Sequence, residues 1–143
     1  MKLIVVTDTH GDKLLRDSKL IDAIRVAAGR VPVPLIHLGD WVSGQIPNPN
    51  NLFSCRILVQ GNNDCAASAE HEFDLIVSYI AFGPIIFSHE PMVSVPQRVS
   101  RNLHGHLHRP DFKEPAPSDI YSRYGYLYLD DIHYRIPAKQ FCA

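Results

Sequence analysis

The chain has 143 residues, of which 45% are hydrophobic and 20% are charged, and its formal net charge at pH 7 is -1. A chain of this length can bury roughly two thirds of the surface that it exposes when unfolded, so we expect one minimal domain spanning residues 1–143. The near-zero net charge argues against an extended basic face for nucleic acid or for an anionic membrane. A small phosphate-bearing substrate stays compatible with it, because bound metal ions can supply local positive charge.

The three cysteines, Cys55, Cys65 and Cys142, form no C-x-x-C pair. An odd number without this spacing argues against a disulfide framework and against a thiolate zinc site. No apolar run approaches the roughly 18 residues of a membrane span, and the apolar start of the chain is too short for a secretory signal. We therefore expect a soluble, cytoplasmic protein with reduced thiols.

Short apolar runs separated by polar turns dominate the chain. A helix is predicted over residues 14–28, with Asp12 as a candidate N-cap, and a shorter helix over residues 66–72. Loops rich in proline, glycine or asparagine are predicted over residues 41–54 and 109–119. The apolar runs predict β-strands at residues 2–6, 35–38, 56–60, 73–81, 85–88, within 95–103, at 126–129 and at 132–136.

Five of the apolar runs end in a cluster of side chains that can bind metal ions. In layered α/β folds, the loops that follow neighbouring strands converge on one edge of a sheet, so the five clusters are expected to share one site. In chain order, the clusters are Asp8-Thr9-His10, Gly39-Asp40, Asn62-Asn63-Asp64, His89, and His104 to His108.

The last cluster places His104, His106 and His108 at alternate positions. An extended backbone directs such side chains to one side, and imidazole is the commonest protein metal ligand. A histidine-rich surface loop is the alternative interpretation of this stretch by itself.

The candidate ligands combine Asp, Asn and His without Cys, a set that suits Mn, Fe, Zn or Ni in five- or six-coordination. They outnumber the ligands that one ion needs, so two ions are plausible. Two ions about 3.5–4 Å apart can stabilise an in-line displacement at phosphorus and generate a hydroxide nucleophile at neutral pH. A carboxylate can reach both ions through its two oxygens, and Asp40 is our candidate for this bridge.

The ordered motif set resembles that of the calcineurin-like metallophosphoesterases, in particular the small bacterial and phage members. It runs from position 8 to position 108, about 70% of the chain. The motifs are Asp8-x-His10, Gly39-Asp40, Gly61-Asn62-Asn63-Asp64, Ser88-His89 and Gly105-His106-Leu107-His108.

The resemblance implies an α/β (α+β) fold in which a β-sandwich is flanked by helices and the metal site lies at the strand ends. It implies two divalent ions, with Mn²⁺ expected and Fe, Zn or Ni as alternatives. Their expected ligands are Asp8, His10 and His108 for the first ion, Asp40 as the bridge, and Asn62, His89 and His106 for the second ion.

Asn63 departs from the family pattern, which has a histidine at this position that is thought to protonate the leaving group or contact the phosphoryl oxygens. An amide can hydrogen-bond a phosphoryl oxygen but cannot act as a general acid, and loss of such an acid costs about 10²–10⁴ in rate. Because good leaving groups suffer least, we predict a hydrolase that cleaves small phosphodiesters or activated aryl phosphates, with nucleotide-derived esters among the candidates.

The expected catalytic residues are Asp40, Asn63, Asp64 and His104. His104 could replace the missing acid or support the site, although a packed or exposed histidine at a strand end is the favoured interpretation. The alternative functions are a phosphomonoesterase acting on a phosphoprotein or nucleotide, and a catalytically weak metal-binding scaffold. No extended nucleic acid and no membrane is expected as a partner.

Overall fold

The computed structural model describes residues 2–11, 25, 26, 29, 31–46, 48–106, 124–128 and 133–135. The predicted loop at 109–119, Asp12 and most of the helix predicted at 14–28 lie outside these residues, although Arg25 and Val26 are helical. In the described part of the chain, a short helix is formed by Ala66–Ala69 and a 3-10 turn by Pro49–Asn51. The strands are β1 Lys2–Val6, β2 Val33–His37, β3 Phe53–Val59, β4 Leu75–Val77, β5 Tyr79–Phe82, β6 Ile85–Ser88, β7 Arg101–His104, β8 Tyr124–Tyr128 and β9 His133–Arg135.

The strands form two sheets. The larger sheet has the order β4-β3-β2-β1-β8-β9, and its first four strands run parallel. The smaller sheet has the order β5-β6-β7, with β6 parallel to β7. The strands predicted at 126–129 and 132–136 correspond to the antiparallel pair β8 and β9, which extends the larger sheet.

Side-chain alternation along β1 shows how the layers pack. Leu3 and Val5 face the smaller sheet and join a core with Phe87 and Leu103, whereas Ile4 and Val6 face away into a second core. Successive side chains of a strand point to opposite faces, so both faces of this sheet are covered. The second core is completed by residues of the 41–54 segment and of the short helix region, including Trp41, Ile46, Leu52, Ala69 and Phe73.

The prediction of one continuous strand over residues 73–81 is wrong. The chain forms β4 beside β3, passes through Ser78, and then forms β5 beside β6 in the other sheet. Both segments are apolar because each packs on the core, so composition does not mark the change of sheet. The strands predicted at 2–6 and 85–88 are confirmed with the same ends, and the other predicted strands are confirmed in the described residues that they overlap. The mixed two-layer architecture agrees with the expected β-sandwich. The described residues hold no helix long and apolar enough to cross a membrane.

Candidate metal centre

The loops after β1 and β2 are joined by backbone hydrogen bonds that continue the parallel pairing past the strand ends. The Asp8 N–H donates to the Gly39 carbonyl at 3.0 Å, and the His10 N–H donates to the Asp40 carbonyl at 2.9 Å. On the other sheet, the Gly105 N–H donates to the His89 carbonyl at 2.9 Å. Backbone pairing therefore places these loops beside one another, as the parallel strand ends predict.

A first group of candidate ligands contains Asp8, His10 and Asp40, with one ligand atom from each lying within 4.8 Å of the others. The Nε2 atom of His10 is 3.9 Å from Asp8 Oδ1 and 3.8 Å from Asp40 Oδ2. Two carboxylates and one imidazole at this spacing can hold a divalent transition-metal ion. His108, the remaining expected ligand of this ion, lies outside the described residues.

A second group contains Asp40, His89 and His106, again with one ligand atom from each within 4.8 Å of the others. His89 Nε2 lies 3.5 Å from Asp40 Oδ1, 3.0 Å from Asn62 Oδ1 and 3.1 Å from His106 Nδ1. The Nδ1 of His89 lies 2.7 Å from the Leu38 carbonyl, to which Nδ1–H donates. In the neutral ring, that bond leaves the Nε2 lone pair directed at the group.

The donor atoms of each group, carboxylate oxygens and imidazole nitrogens, are of the types that bind divalent cations. In the second group, a carboxylate oxygen, an amide oxygen and imidazole nitrogens converge, and a cation offsets the repulsion of their lone pairs. Asp40 belongs to both groups, through Oδ1 toward His89 and Oδ2 toward His10. These residues would hold the metal ions, and Asp40 is placed between the two groups.

The Asp40 carboxyl is held in its ionised form. Burial raises its pKa, but two hydrogen bonds from Asn63 and the nearby His89 and His10 outweigh burial and leave the pKa below its usual range. The Asn63 backbone N–H donates to Asp40 Oδ1 at 3.1 Å, and its side-chain amide donates to Oδ2 at 2.9 Å. Asn63 therefore contacts both oxygens of the carboxylate that the two groups share.

Four of the expected ligands have left-handed backbone conformations. The φ angles of Asp8, His10, Asp40 and His106 are 53°, 46°, 54° and 68°. Such angles are uncommon outside glycine, although Asp and His adopt them more often than most residues, and they persist only where the surrounding structure imposes them. They lie in the loops after β1, β2 and β7, where the surrounding contacts hold the backbone in conformations that direct the expected ligands.

Asp64 contacts the backbone of the site and is absent from both candidate ligand groups. Its carboxylate accepts N–H hydrogen bonds from Asp40 at 2.9 Å, Val42 at 2.8 Å and Gly61 at 2.8 Å. Three donors on one carboxylate bind the turn after β2 to the turn after β3. This geometry makes Asp64 a positioning residue for Asp40.

His104 also lies outside both groups. The residue is 4% exposed at the end of β7, and its Nδ1–H donates to the Gly105 carbonyl at 3.0 Å. This environment agrees with the favoured interpretation of His104 as a packed histidine at a strand end. Its assignment as a replacement acid stays a prediction.

A histidine within an apolar strand, such as His37, is expected to be a core residue with satisfied hydrogen bonds, and the structure confirms this. The sequence did not indicate that its partners belong to two loops of the site. His37 is fully buried, accepts the Gly39 N–H at Nδ1 over 3.2 Å, and places Nε2 2.9 Å from Thr9 Oγ1. Since Nδ1 accepts, Nε2–H donates to the threonine. The ring thereby connects the loop bearing Asp8 to the loop bearing Asp40. The sequence feature that could have indicated this role is the position of His37 in an apolar strand, three residues before Asp40.

Two glycines permit the close approach of these loops. A Cβ on Gly61 would collide with the backbone nitrogen of Asp40 and lie 2.5 Å from its Oδ1. A Cβ on Gly105 would collide with Thr7 Oγ1 and lie 2.6 Å from Asp8 Oδ2. Both glycines are therefore needed for the strand ends to meet.

A family model for the calcineurin-like phosphoesterase superfamily domain matches residues 1–121. The chain belongs to this superfamily, whose members are metal-dependent, and membership implies hydrolysis of phosphoesters. The recognition made from the ordered motifs is thus confirmed.

Two solved structures are similar to the chain. One is a protein of unknown function from Aquifex aeolicus, with a TM-score of 0.49, 22% identity, and coverage of 78% of this chain and 81% of that chain. The other is a conserved uncharacterized protein, a predicted phosphoesterase, from Streptococcus pneumoniae TIGR4, with a TM-score of 0.45, 21% identity, and coverage of 88% and 81%. No curated protein matches the chain.

Proposed function

We propose that this protein is a binuclear metal-dependent phosphoesterase that prefers phosphodiesters over phosphate monoesters and, among monoesters, prefers activated aryl phosphates. The observation that carries the proposal is the position of Asp40, whose two oxygens face two separate groups of candidate ligands. The proposed ligands are Asp8, His10, Asp40 and His108 for one ion and Asp40, Asn62, His89 and His106 for the other.

When bound, two divalent ions supply Lewis acidity toward a phosphoryl oxygen and lower the pKa of water. The proposed ligands would hold these ions and are positioned by other residues of the chain: the Leu38 carbonyl orients His89, and Asp64 and Asn63 fix Asp40. Mn²⁺ is our proposed ion, with Fe, Zn and Ni as alternatives that the same oxygen and nitrogen donors accept.

The preference for diesters rests on Asn63. Its side-chain amide donates to Asp40, and an amide has no proton to release to a leaving alkoxide. The loss of a general acid is least costly when the leaving group is already stable as an anion. Aryl esters and diesters with good leaving groups therefore suit this site.

Turnover of bis-p-nitrophenyl phosphate and of p-nitrophenyl phosphate by the Mn²⁺-loaded protein tests the preference. We expect the diester to have the higher kcat/KM, and a strong preference for the monoester would refute the proposal. Nucleotide-derived diesters, including 2′,3′-cyclic nucleotides, belong in the same panel.

Asn63 also favours a second candidate, a scaffold that binds metal and has weak activity. Metal analysis and activity before and after Asp40→Asn separate the two. The enzyme proposal expects the substitution to lower both metal content and turnover. A wild-type protein that binds metal and hydrolyses no ester of a broad panel would support the scaffold.

A further inference from the structure

A pocket of about 450 Å³ opens beside the second group of candidate ligands. Asn62 and His89 line it, together with Gln60, Ser78, Glu90 and Met92. Because the pocket begins at two of the proposed ligands, a phosphoryl group bound there would direct an ester substituent into it. The pocket is thus placed to determine which substituent the protein accepts.

A side-chain network fixes residues 90–92, which belong to the lining of this pocket. The Asn102 amide donates to Ser88 Oγ at 2.8 Å, and its carbonyl oxygen accepts the Met92 N–H at 2.8 Å. Ser88 Oγ in turn donates to the Glu90 carbonyl at 2.6 Å. The turn that bears Glu90 is therefore held by Ser88 of β6 at Glu90 and by Asn102 of β7 at Met92, so its backbone is preformed.

The charge of the lining is one-sided. Among the described residues that line the pocket, Glu90 is the only carboxylate, and neither lysine nor arginine is present. His89 is the other titratable residue of this lining. Gln60 and Ser78 add polar groups that can accept hydrogen bonds, and Met92 adds a polarisable apolar surface. A carboxylate in this setting attracts an ammonium group and repels a second phosphate or a carboxylate.

We propose that this pocket is a subsite for the substituent of the phosphate ester, and that Glu90 makes it select an ammonium-bearing substituent over a neutral one and a neutral one over an anionic one. The inference rests on the proposed function in that the phosphoryl group occupies the adjoining metal centre. It extends that function by naming the class of substrate: phosphodiesters in which one substituent is an amino alcohol and the other is a good leaving group, with no second anionic group.

Binding of three monoesters of equal length tests the charge preference without reference to turnover. Phosphoethanolamine, 2-hydroxyethyl phosphate and phosphoglycolate carry an ammonium, a hydroxyl and a carboxylate at the same distance from phosphorus. Calorimetric titration of the Mn²⁺-loaded protein should give affinities in that order. With a solvent-facing carboxylate, we expect a three- to tenfold ratio between the ammonium and hydroxyl esters, from roughly 1 kcal/mol of Coulomb attraction.

Glu90→Gln should reduce that ratio to about one, while Glu70→Gln should leave it unchanged. Glu70 is a matched control because it is likewise exposed and does not line the pocket. An order that does not follow charge, an order that survives Glu90→Gln, or no binding of any of the three esters would overturn the proposal.

Hydrolysis of bis-p-nitrophenyl phosphate by the same preparation distinguishes the two proposals. If the diester is hydrolysed and the affinities of the three monoesters do not depend on their charge, the subsite is refuted and the enzyme proposal stands. If the charge order depends on Glu90 and no ester is hydrolysed, the subsite stands and the enzyme proposal is refuted.

Discussion

Replacing Asp64 by alanine should loosen the turn that carries Asp40 and weaken metal binding without removing a ligand. The substitution deletes acceptors for three backbone N–H groups, at 2.9 Å from Asp40, 2.8 Å from Val42 and 2.8 Å from Gly61. Hydrogen bonds to charged groups contribute about 1.5–3 kcal/mol each, but contributions within one network do not add. Since one of the three donors is exposed and can be solvated, we expect a loss of about 2–4 kcal/mol in the free energy of unfolding.

Urea unfolding of metal-free protein measures this loss, with Asp74→Ala as the matched control. Asp74 also accepts a backbone N–H, from Arg56 at 2.7 Å, but it lies away from the candidate ligands and its side chain is 55% exposed. We expect that control to lose about 0.5–1.5 kcal/mol. Asp64→Asn, which retains one carbonyl oxygen, should fall between wild type and Asp64→Ala.

Metal affinity supplies the second measurement. Competition with a fluorescent chelator should show Mn²⁺ binding to Asp64→Ala at least about tenfold weaker, which corresponds to about 1.4 kcal/mol. Asp74→Ala should bind Mn²⁺ as wild type does. Equal unfolding losses in the two variants, or unchanged affinity in Asp64→Ala, would refute the assignment of Asp64 as a positioning residue.

Three further predictions concern His37, Asn63 and Gly105. Burial, followed by the nearby His89, lowers the pKa of His37 from 6.5 to about 3. The unfolded chain therefore binds the extra proton, and stability falls as the pH drops from 6.5 toward 3, by about 1 kcal/mol per pH unit. Urea titrations between pH 4 and pH 7 should show a shallower dependence in His37→Gln, and an equal slope would contradict the buried neutral ring. Asn63→His should raise turnover of alkyl phosphate monoesters by about tenfold or more, because it supplies a general acid; an unchanged rate would mean that leaving-group protonation is not limiting. Gly105→Ala should lower stability by about 1–3 kcal/mol through collision with Thr7, and an unaltered melting temperature would contradict the close approach.

Local patterns were sufficient to predict most of the strands and the edge at which the ligands meet. Apolar runs at 2–6 and 85–88 coincide with β1 and β6, and the ordered polar clusters follow the strand ends. Both signals are local in sequence. An apolar run shows which short segment can form a buried strand, and the residue types in a polar cluster show which side chains can bind metal. The division of 73–81 between two sheets depends instead on which strand each half pairs with, and apolar composition carries no such information.

The sequence by itself determined the family, the donor types and the expected ligands, since those follow from residue identity and order. Only the tertiary structure decided what each polar side chain contacts. Asp64 and Asp40 are both acidic residues beside glycine-containing turns, yet one accepts backbone N–H groups and the other is shared by two ligand groups. Likewise, the structure alone placed Glu90 in the lining of a pocket together with Asn62. These differences arise from contacts between residues distant in the chain, which hydrophobic periodicity and motif spacing do not encode.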